Sequence, residues 1–337
     1  MSAKKRSISR DKEENNMENG LKYGITLYCF AKTFLLRELD LEGCVKRARD
    51  IGYRGVNIVA AQSCDEYPFP SDDWIKRFRD ILDKYEMDPV CWEGYLDMGM
   101  RNDRDLSPEE IEEFTRNDII YANKAGFKMM KSQHSITPEI FEKMIPFCEK
   151  MNVKLNLEMH HPHHPEVPVW QEYFKIMEKS GGWLGIAPDM SIFAKYPHEL
   201  HMRKAVRDGC RAEKVKEIAA LKFADKPESA VADLDLNDQE KAYAEEVYFR
   251  FNAPARLEQL PELLKYTHMI HGKFWYINEK ENDSCIPYDK IMPIVKQSGY
   301  DGYLIAEYEG HAFDVDEVES EQIKRYWRMV KRLYDNA

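Results

Sequence analysis

Residues 156–166 read NLEMHHPHHPE, four histidines, two prolines and two glutamates in eleven positions. Imidazoles and carboxylates at this density can hold a divalent cation or move protons near neutral pH. The chemistry depends on the backbone beneath them. A histidine-rich loop would bind metal by itself, whereas a strand end would lend only alternate residues to a shared site. The run VKLNLEMH from Val153 favours a strand: Leu155, Leu157 and Met159 share one face, while Asn156, Glu158 and His160 share the other, and Pro162 stops it. Glu158 and His160 then project together, and His161, His163 and His164 fall in the following loop.

The same two-residue spacing recurs at the ends of three later apolar runs. Ala187 and Asp189 share a face in LGIAPDM, His271 and Lys273 in THMIHGKFW, and Glu307 and Glu309 in GYLIAEYEG. Glu158, Asp189, His271 and Glu307 are therefore expected at the ends of four successive strands. Three carboxylates and one imidazole form an oxygen-dominated donor set, which suits Mn²⁺, Mg²⁺ or Co²⁺ better than a thiolate-rich zinc site. A single buried Glu or His is usually a paired core residue, but four such groups in one small volume would be very costly without a cation. A divalent metal, Mn²⁺ first, is expected.

Eight strands are needed to position these groups. They are expected to begin at Leu21, Arg54, Asp88, Phe127, Val153, Leu184, Thr267 and Gly302. Between them lie segments of helical period with start signals: "RELD" before Leu39–Ile51, Ser107-Pro108-Glu109-Glu110 before a helix reaching Gly126, and Thr137-Pro138-Glu139 before the next. Alternating strands and helices of this number close as a (β/α)8 TIM barrel. An open doubly wound sheet is the rival, but no GxGxxG follows any strand. The longest interval, from Leu184 to Thr267, predicts an insertion between strands six and seven at about residues 194–265. Insertions on that face of a barrel usually form lids or partner surfaces, and Tyr248, Phe249 and Phe251 are read as its exposed apolar residues. Residues 1–20 carry mixed charge without an apolar core and are read as a disordered tail before a single domain, 21–337.

Composition excludes several function classes. A formal net charge of −11 argues against a nucleic-acid binder, whose affinity comes from clustered Lys and Arg. No apolar run approaches the roughly 20 residues of a membrane helix. Seven widely spaced cysteines without a CxxC indicate neither a disulfide framework nor a zinc knuckle, so the chain reads as cytoplasmic.

These residues also carry a resemblance. Glu158, Asp189, His271 and Glu307 in this order resemble the metal ligands of the xylose isomerase-like superfamily of sugar phosphate isomerases and epimerases, over residues 21 to 335. The strings LYCF (27–30), LEMHHPHHPE (157–166), APDMSIF (187–193), IHGKFWYI (270–277) and CIPYDKIMPIVKQSGYDGYLIAEYEGH (285–311) most resemble the α subunit of bacterial C-glycoside deglycosidases. The resemblance implies a metal-dependent carbon–carbon lyase that acts on 3-oxo-C-glycosides of flavonoid-type aglycones and works with a small β subunit in an α/β hetero-oligomer. It also implies that His160 is the acid/base residue. One departure separates the chain from simple isomerases: the position three after Asp189, often a histidine in that superfamily, is Ile192.

A C-glycosidic bond offers no heteroatom leaving group for a carboxylic acid to protonate, so the two-carboxylate glycosidase route does not apply. A ketone at C3 acidifies the C2 proton instead. His160, beside Glu158, is the expected base there, with Glu158 and Glu307 completing the catalytic centre. His134, His161, Lys273, Trp275 and Glu309 are candidates to bind substrate, and His134, His161, His163, Lys273 and Glu309 to protonate the aglycone. Tyr28, Phe30, Trp92, Tyr95, Phe193 and Trp275 are candidates to stack on a flat polyphenol. The rival functions are a metal-dependent isomerase or 3-epimerase of a keto sugar, an apurinic-site endonuclease, which would need more histidines and a basic groove, and a non-catalytic sugar-binding barrel.

Overall fold

Every one of the eight expected strands forms. In the computed structural model, which describes residues 20–133, 135–314 and 316–337, they are β1 Lys22–Thr26, β2 Gly55–Val59, β3 Asp88–Glu93, β4 Met129–Ser132, β5 Lys154–Met159, β6 Leu184–Pro188, β7 Met269–Phe274 and β8 Tyr303–Tyr308. The tail expected over residues 1–20 lies outside the described residues except for Gly20.

Neighbours run parallel in the order β6-β5-β4-β3-β2-β1-β8-β7. The two end strands approach through isolated bridges, Ile186 to Thr267 and Asp189 to His271. The sheet is thus a nearly closed eight-stranded barrel with helices around it, as the alternating pattern required.

The helix starts follow the sequence signals closely. Asp40 accepts the Gly43 N–H and opens Leu41–Ile51. Ser107 and Glu110 form a reciprocal capping box at Pro108–Ala125, which ends at Gly126 with φ 90°. Thr137 accepts the Ile140 N–H and opens Pro138–Lys143. Such caps are each worth about 1 kcal/mol, so helix boundaries are among the features a local sequence can specify.

Two apolar layers hold the barrel. Between strands and helices, fully buried aromatics pack edge to face, for example Trp92 with Trp74 and with Phe127. Inside, Cys91, Ala187, Met269 and Ile305 form a smaller cluster. Each lies two residues before Glu93, Asp189, His271 or Glu307, so the apolar plug stands directly beneath the charged groups by strand periodicity. All seven cysteines are unpaired and buried. No helix among the described residues is long and apolar enough to cross a membrane.

The β6–β7 interval contains the helices Glu199–Arg207, Ala212–Phe223, Asp238–Arg250 and Leu260–Leu264. One expectation here fails. Phe251 is not an exposed apolar residue but fully buried, edge-on to His198, His201 and Trp275. Phe249 is 65% exposed and Tyr248 is half-buried.

Candidate active site

Strand register brings the charged groups together. Lys273 stands opposite Glu307 across β7 and β8, Glu93 opposite Lys131 across β3 and β4, and Asp189 bridges to His271. At this end of the barrel Glu158, Asp189, His271 and Glu307, all buried, offer ligand atoms within 4.8 Å of one another. Among the described residues this is the one such group. The histidine tract therefore does not form a metal site of its own: β5 ends at Met159, His160 follows it into the cavity wall, and His163 accepts the Trp170 indole N–H.

The His271 Nδ1 lies 2.9 Å from both Glu158 Oε1 and Glu307 Oε2. Two buried ammonium groups flank the cluster. Lys131 Nζ is 2.9 Å from Glu158 Oε2 and 3.3 Å from Glu93 Oε2. Lys273 Nζ is 2.7 Å from Glu309 Oε1, 3.2 Å from Asp189 Oδ2 and 3.3 Å from Glu307 Oε2. Asp189 also caps the following turn, its Oδ1 accepting the Ser191 N–H at 2.7 Å.

Charge sets the protonation states. Burial and Lys131 both oppose a charged His271, yet Glu307 and Glu158 outweigh them and push its pKa up to about 10. Burial opposes the Glu158 charge, but Lys131 and His271 hold its carboxyl well below the usual range. Burial likewise opposes the charge on Glu307, and Lys273 and His271 hold that carboxyl low. Burial pushes Asp189 up to about 6 against the pull of Lys273.

This cluster can hold a divalent metal. Ligand atoms about 2.1 Å from one ion and at right angles lie about 3 Å apart, which matches the 2.9 Å separations around His271 Nδ1. His271 Nε2 is buried without a hydrogen-bond partner, and Glu93 Oε1 is 3.6 Å from that nitrogen. The carboxylates around His271 Nδ1 make this a place that favours positive charge.

Above the cluster lies a cavity of about 700 Å³, within the range of small-molecule sites. Its wall includes Glu158, His160, His161, Asp189, Lys273, Trp275, Glu307 and Glu309, so the candidate metal ligands, catalytic residues and sugar-binding residues reach it except His271, buried beneath, and His134, which lies outside the described residues. Of the aromatic candidates, Tyr28, Tyr95 and Trp275 line the cavity. Phe30, Trp92 and Phe193 do not: they are buried in the main apolar core, where the Trp92 indole donates to Asp118 Oδ1 at 3.0 Å. His163 is not in the wall either. Its Nδ1 and ring face the buried Trp170 instead.

Sequence reasoning missed Glu93 and Lys131, which share the inward face of their strands with Cys91 and Met129. The same alternation that found Glu158 could have found them. It also missed Arg250, which reaches the wall from the β6–β7 segment. No local signal marks that residue.

The His160 Nδ1 is 2.6 Å from the His161 carbonyl oxygen. A ring nitrogen against a carbonyl carries the proton, so the neutral ring has its lone pair on Nε2. His161 Nε2 is 3.2 Å from Asn252 Oδ1, and its ring meets Phe249 edge-on at 5.7 Å.

Comparison with known proteins bears on this geometry. The α subunit of a 3'-dehydrocarminate deglycosidase from Microbacterium is 26% identical over 92% of this chain and 94% of its own. The α subunit of a C-glycoside deglycosidase from Arthrobacter globiformis is 28% identical over 95% of this chain and 94% of its own. Among solved structures, an L-ribulose 3-epimerase shares the fold with a TM-score of 0.57 at 10% identity, covering 94% of this chain and 95% of that one. These relatives and fold neighbours are enzymes, deglycosidases and sugar epimerases. The family described as the xylose isomerase-like TIM barrel matches residues 45–329, and the chain belongs to it.

Proposed function

We propose that this protein cleaves the C-glycosidic bond of a 3-oxo-C-glucoside with a flavonoid-type aglycone, as the catalytic α subunit of a hetero-oligomer with a small β subunit, in the cytoplasm. The observation that carries the reading is the convergence of Glu158, Asp189, His271 and Glu307 beneath the cavity that His160 and Lys273 line. The names of the relatives support the choice of reaction.

Glu158, Asp189, His271 and Glu307 would hold the metal, Mn²⁺ by its oxygen-rich donors, with Mg²⁺ or Co²⁺ as alternatives. When bound, such an ion supplies Lewis-acid polarisation of the substrate's ketone and stabilises the negative charge that develops there. His160 takes the C2 proton on Nε2, since its Nδ1 hydrogen is engaged by the His161 carbonyl. The resulting enolate collapses to a C1–C2 double bond and expels the aglycone carbon from C1. That carbon takes up one proton, so the proton count is unchanged overall. Lys273, held charged by Asp189, Glu307 and Glu309 against the effect of burial, and Glu309 beside it face the sugar. His161 and Trp275 contact the sugar or the flat aglycone.

The test is aglycone release, followed by chromatography, from a 3-oxo-C-glucoside in the presence of Mn²⁺ and the small β subunit. Release by the native protein, with loss of about 10³-fold in Glu158→Gln and of about 10²-fold or more in His160→Ala, is expected. Epimerisation or isomerisation of a free keto sugar without aglycone release would assign the same site to an epimerase instead.

A further inference from the structure

Lys131 is a buried charged group beside the cluster whose position is dictated from both sides. It projects from β4 with 7% exposure, opposite Glu93 on β3, and its ammonium reaches across to Glu158 of β5. Glu93 is anchored in turn, its Oε1 accepting the Asn57 side-chain N–H of β2 at 3.0 Å. A polar chain Asn57–Glu93–Lys131–Glu158 therefore runs across four adjacent strands, each link on a rigid element.

The consequence lies in which carboxylate oxygen each contact occupies. Lys131 takes Glu158 Oε2, while Glu158 Oε1 faces His271 Nδ1 inside the cluster. The backbone likewise occupies one oxygen of Asp189: Ser191 N–H takes Oδ1, and Oδ2 faces the cluster, 3.2 Å from Lys273 Nζ. Glu158 thereby keeps one oxygen clear of Lys131, and Asp189 one oxygen clear of the backbone. Ca²⁺ takes six to eight oxygens and commonly accepts carboxylates through both, whereas small octahedral ions need only one oxygen from each.

We propose that Lys131 is a positioning residue that makes Glu158 a one-oxygen ligand, and so tunes the site toward small octahedral ions and against Ca²⁺. The proposal rests on the reading of the cluster as a metal site. A merely structural ion pair would affect stability and leave ion preference alone.

The test is the ratio of Mn²⁺ to Ca²⁺ dissociation constants by titration calorimetry on the full chain. Lys131→Met alone leaves Glu93 and Glu158 uncompensated in a buried place and can impair folding. The double variant Lys131→Met with Glu93→Gln removes one charge of each sign and leaves net charge unchanged. Its preference for Mn²⁺ over Ca²⁺ is expected to fall about tenfold or more, the effect typical of lost partners to a metal ligand. Glu93→Gln alone, which retains Lys131 on Glu158, is expected to keep the native ratio within about threefold. A native ratio in the double variant overturns the role of Lys131 and leaves the metal site standing. A native protein that binds neither ion overturns the metal reading, and this inference with it.

Discussion

Buried histidines occupy two contrasting regions of this molecule. At the strand ends, His271 sits among Glu158, Glu307 and Glu93 and is driven toward the charged form, its pKa pushed up to about 10. In the β6–β7 segment, His198 stacks on Trp275 with ring centres 5.1 Å apart, and His201 packs against Tyr243 and Phe251. Burial pushes both of these pKa values down, well down for His198. Burial alone neutralises a histidine, and only surrounding carboxylates reverse the sign. The residue type is thus uninformative by itself. What its neighbours can stabilise decides whether it is a ligand or core.

Predictions that break or sharpen this contrast begin with the ligand itself. His271→Gln should weaken Mn²⁺ binding by at least about 10²-fold, more than the loss of an outer partner typically costs, while His201→Phe should leave it within about twofold. Equal Mn²⁺ affinity in the two variants, by calorimetry, would erase the distinction. Ion binding should next appear as stability. At a free Mn²⁺ concentration 100 times its dissociation constant the native protein should gain about 2.7 kcal/mol by mass action, read as a rise in Tm that His271→Gln abolishes and His201→Phe retains.

The aromatic region should respond to truncation rather than to metal. His198→Ala removes a ring packed against Trp275, Phe251 and Phe313 and should cost about 2–3 kcal/mol in urea unfolding, as for a large-to-small core change. Its Mn²⁺ affinity should be unchanged. A change there would show that the two regions communicate through Trp275, which also lines the cavity.

A further prediction concerns pH and His268, just before β7, whose pKa burial pushes down to about 3, with Lys154 adding to the shift. A histidine with a folded pKa below its unfolded value of about 6.5 sheds its proton on folding. Its contribution is complete above pH 6.5 and is lost as pH falls toward 3. His268→Gln should therefore flatten the acid side of the stability profile between pH 6.5 and 4. A profile as steep as that of the native protein would remove His268 from the account.

Much of the site was legible because strand periodicity is local. Two-residue alternation at four strand ends identified Glu158, Asp189, His271 and Glu307, and the structure brings those four together. Alternation says which face a residue takes but not what that face meets. Trp92 and Phe193 were read as ligand-stacking candidates because they lie near strand ends, yet they are buried in the main apolar core. Phe251 follows the same logic: its burial depends on His198, His201 and Trp275, which are distant in sequence.

The sequence by itself determined the eight strands, the capped helix starts at Asp40, Ser107 and Thr137, and the inward parity of the ligand set, because each depends on interactions spanning a few residues. Only the tertiary structure decided that Lys131 holds one oxygen of Glu158, that Lys273 meets Asp189, Glu307 and Glu309, and that Arg250 enters the cavity wall. Those pairings depend on register between neighbouring strands and on the path of a long connecting segment. Both are set when the barrel closes and its apolar layers pack, an event in which every strand takes part.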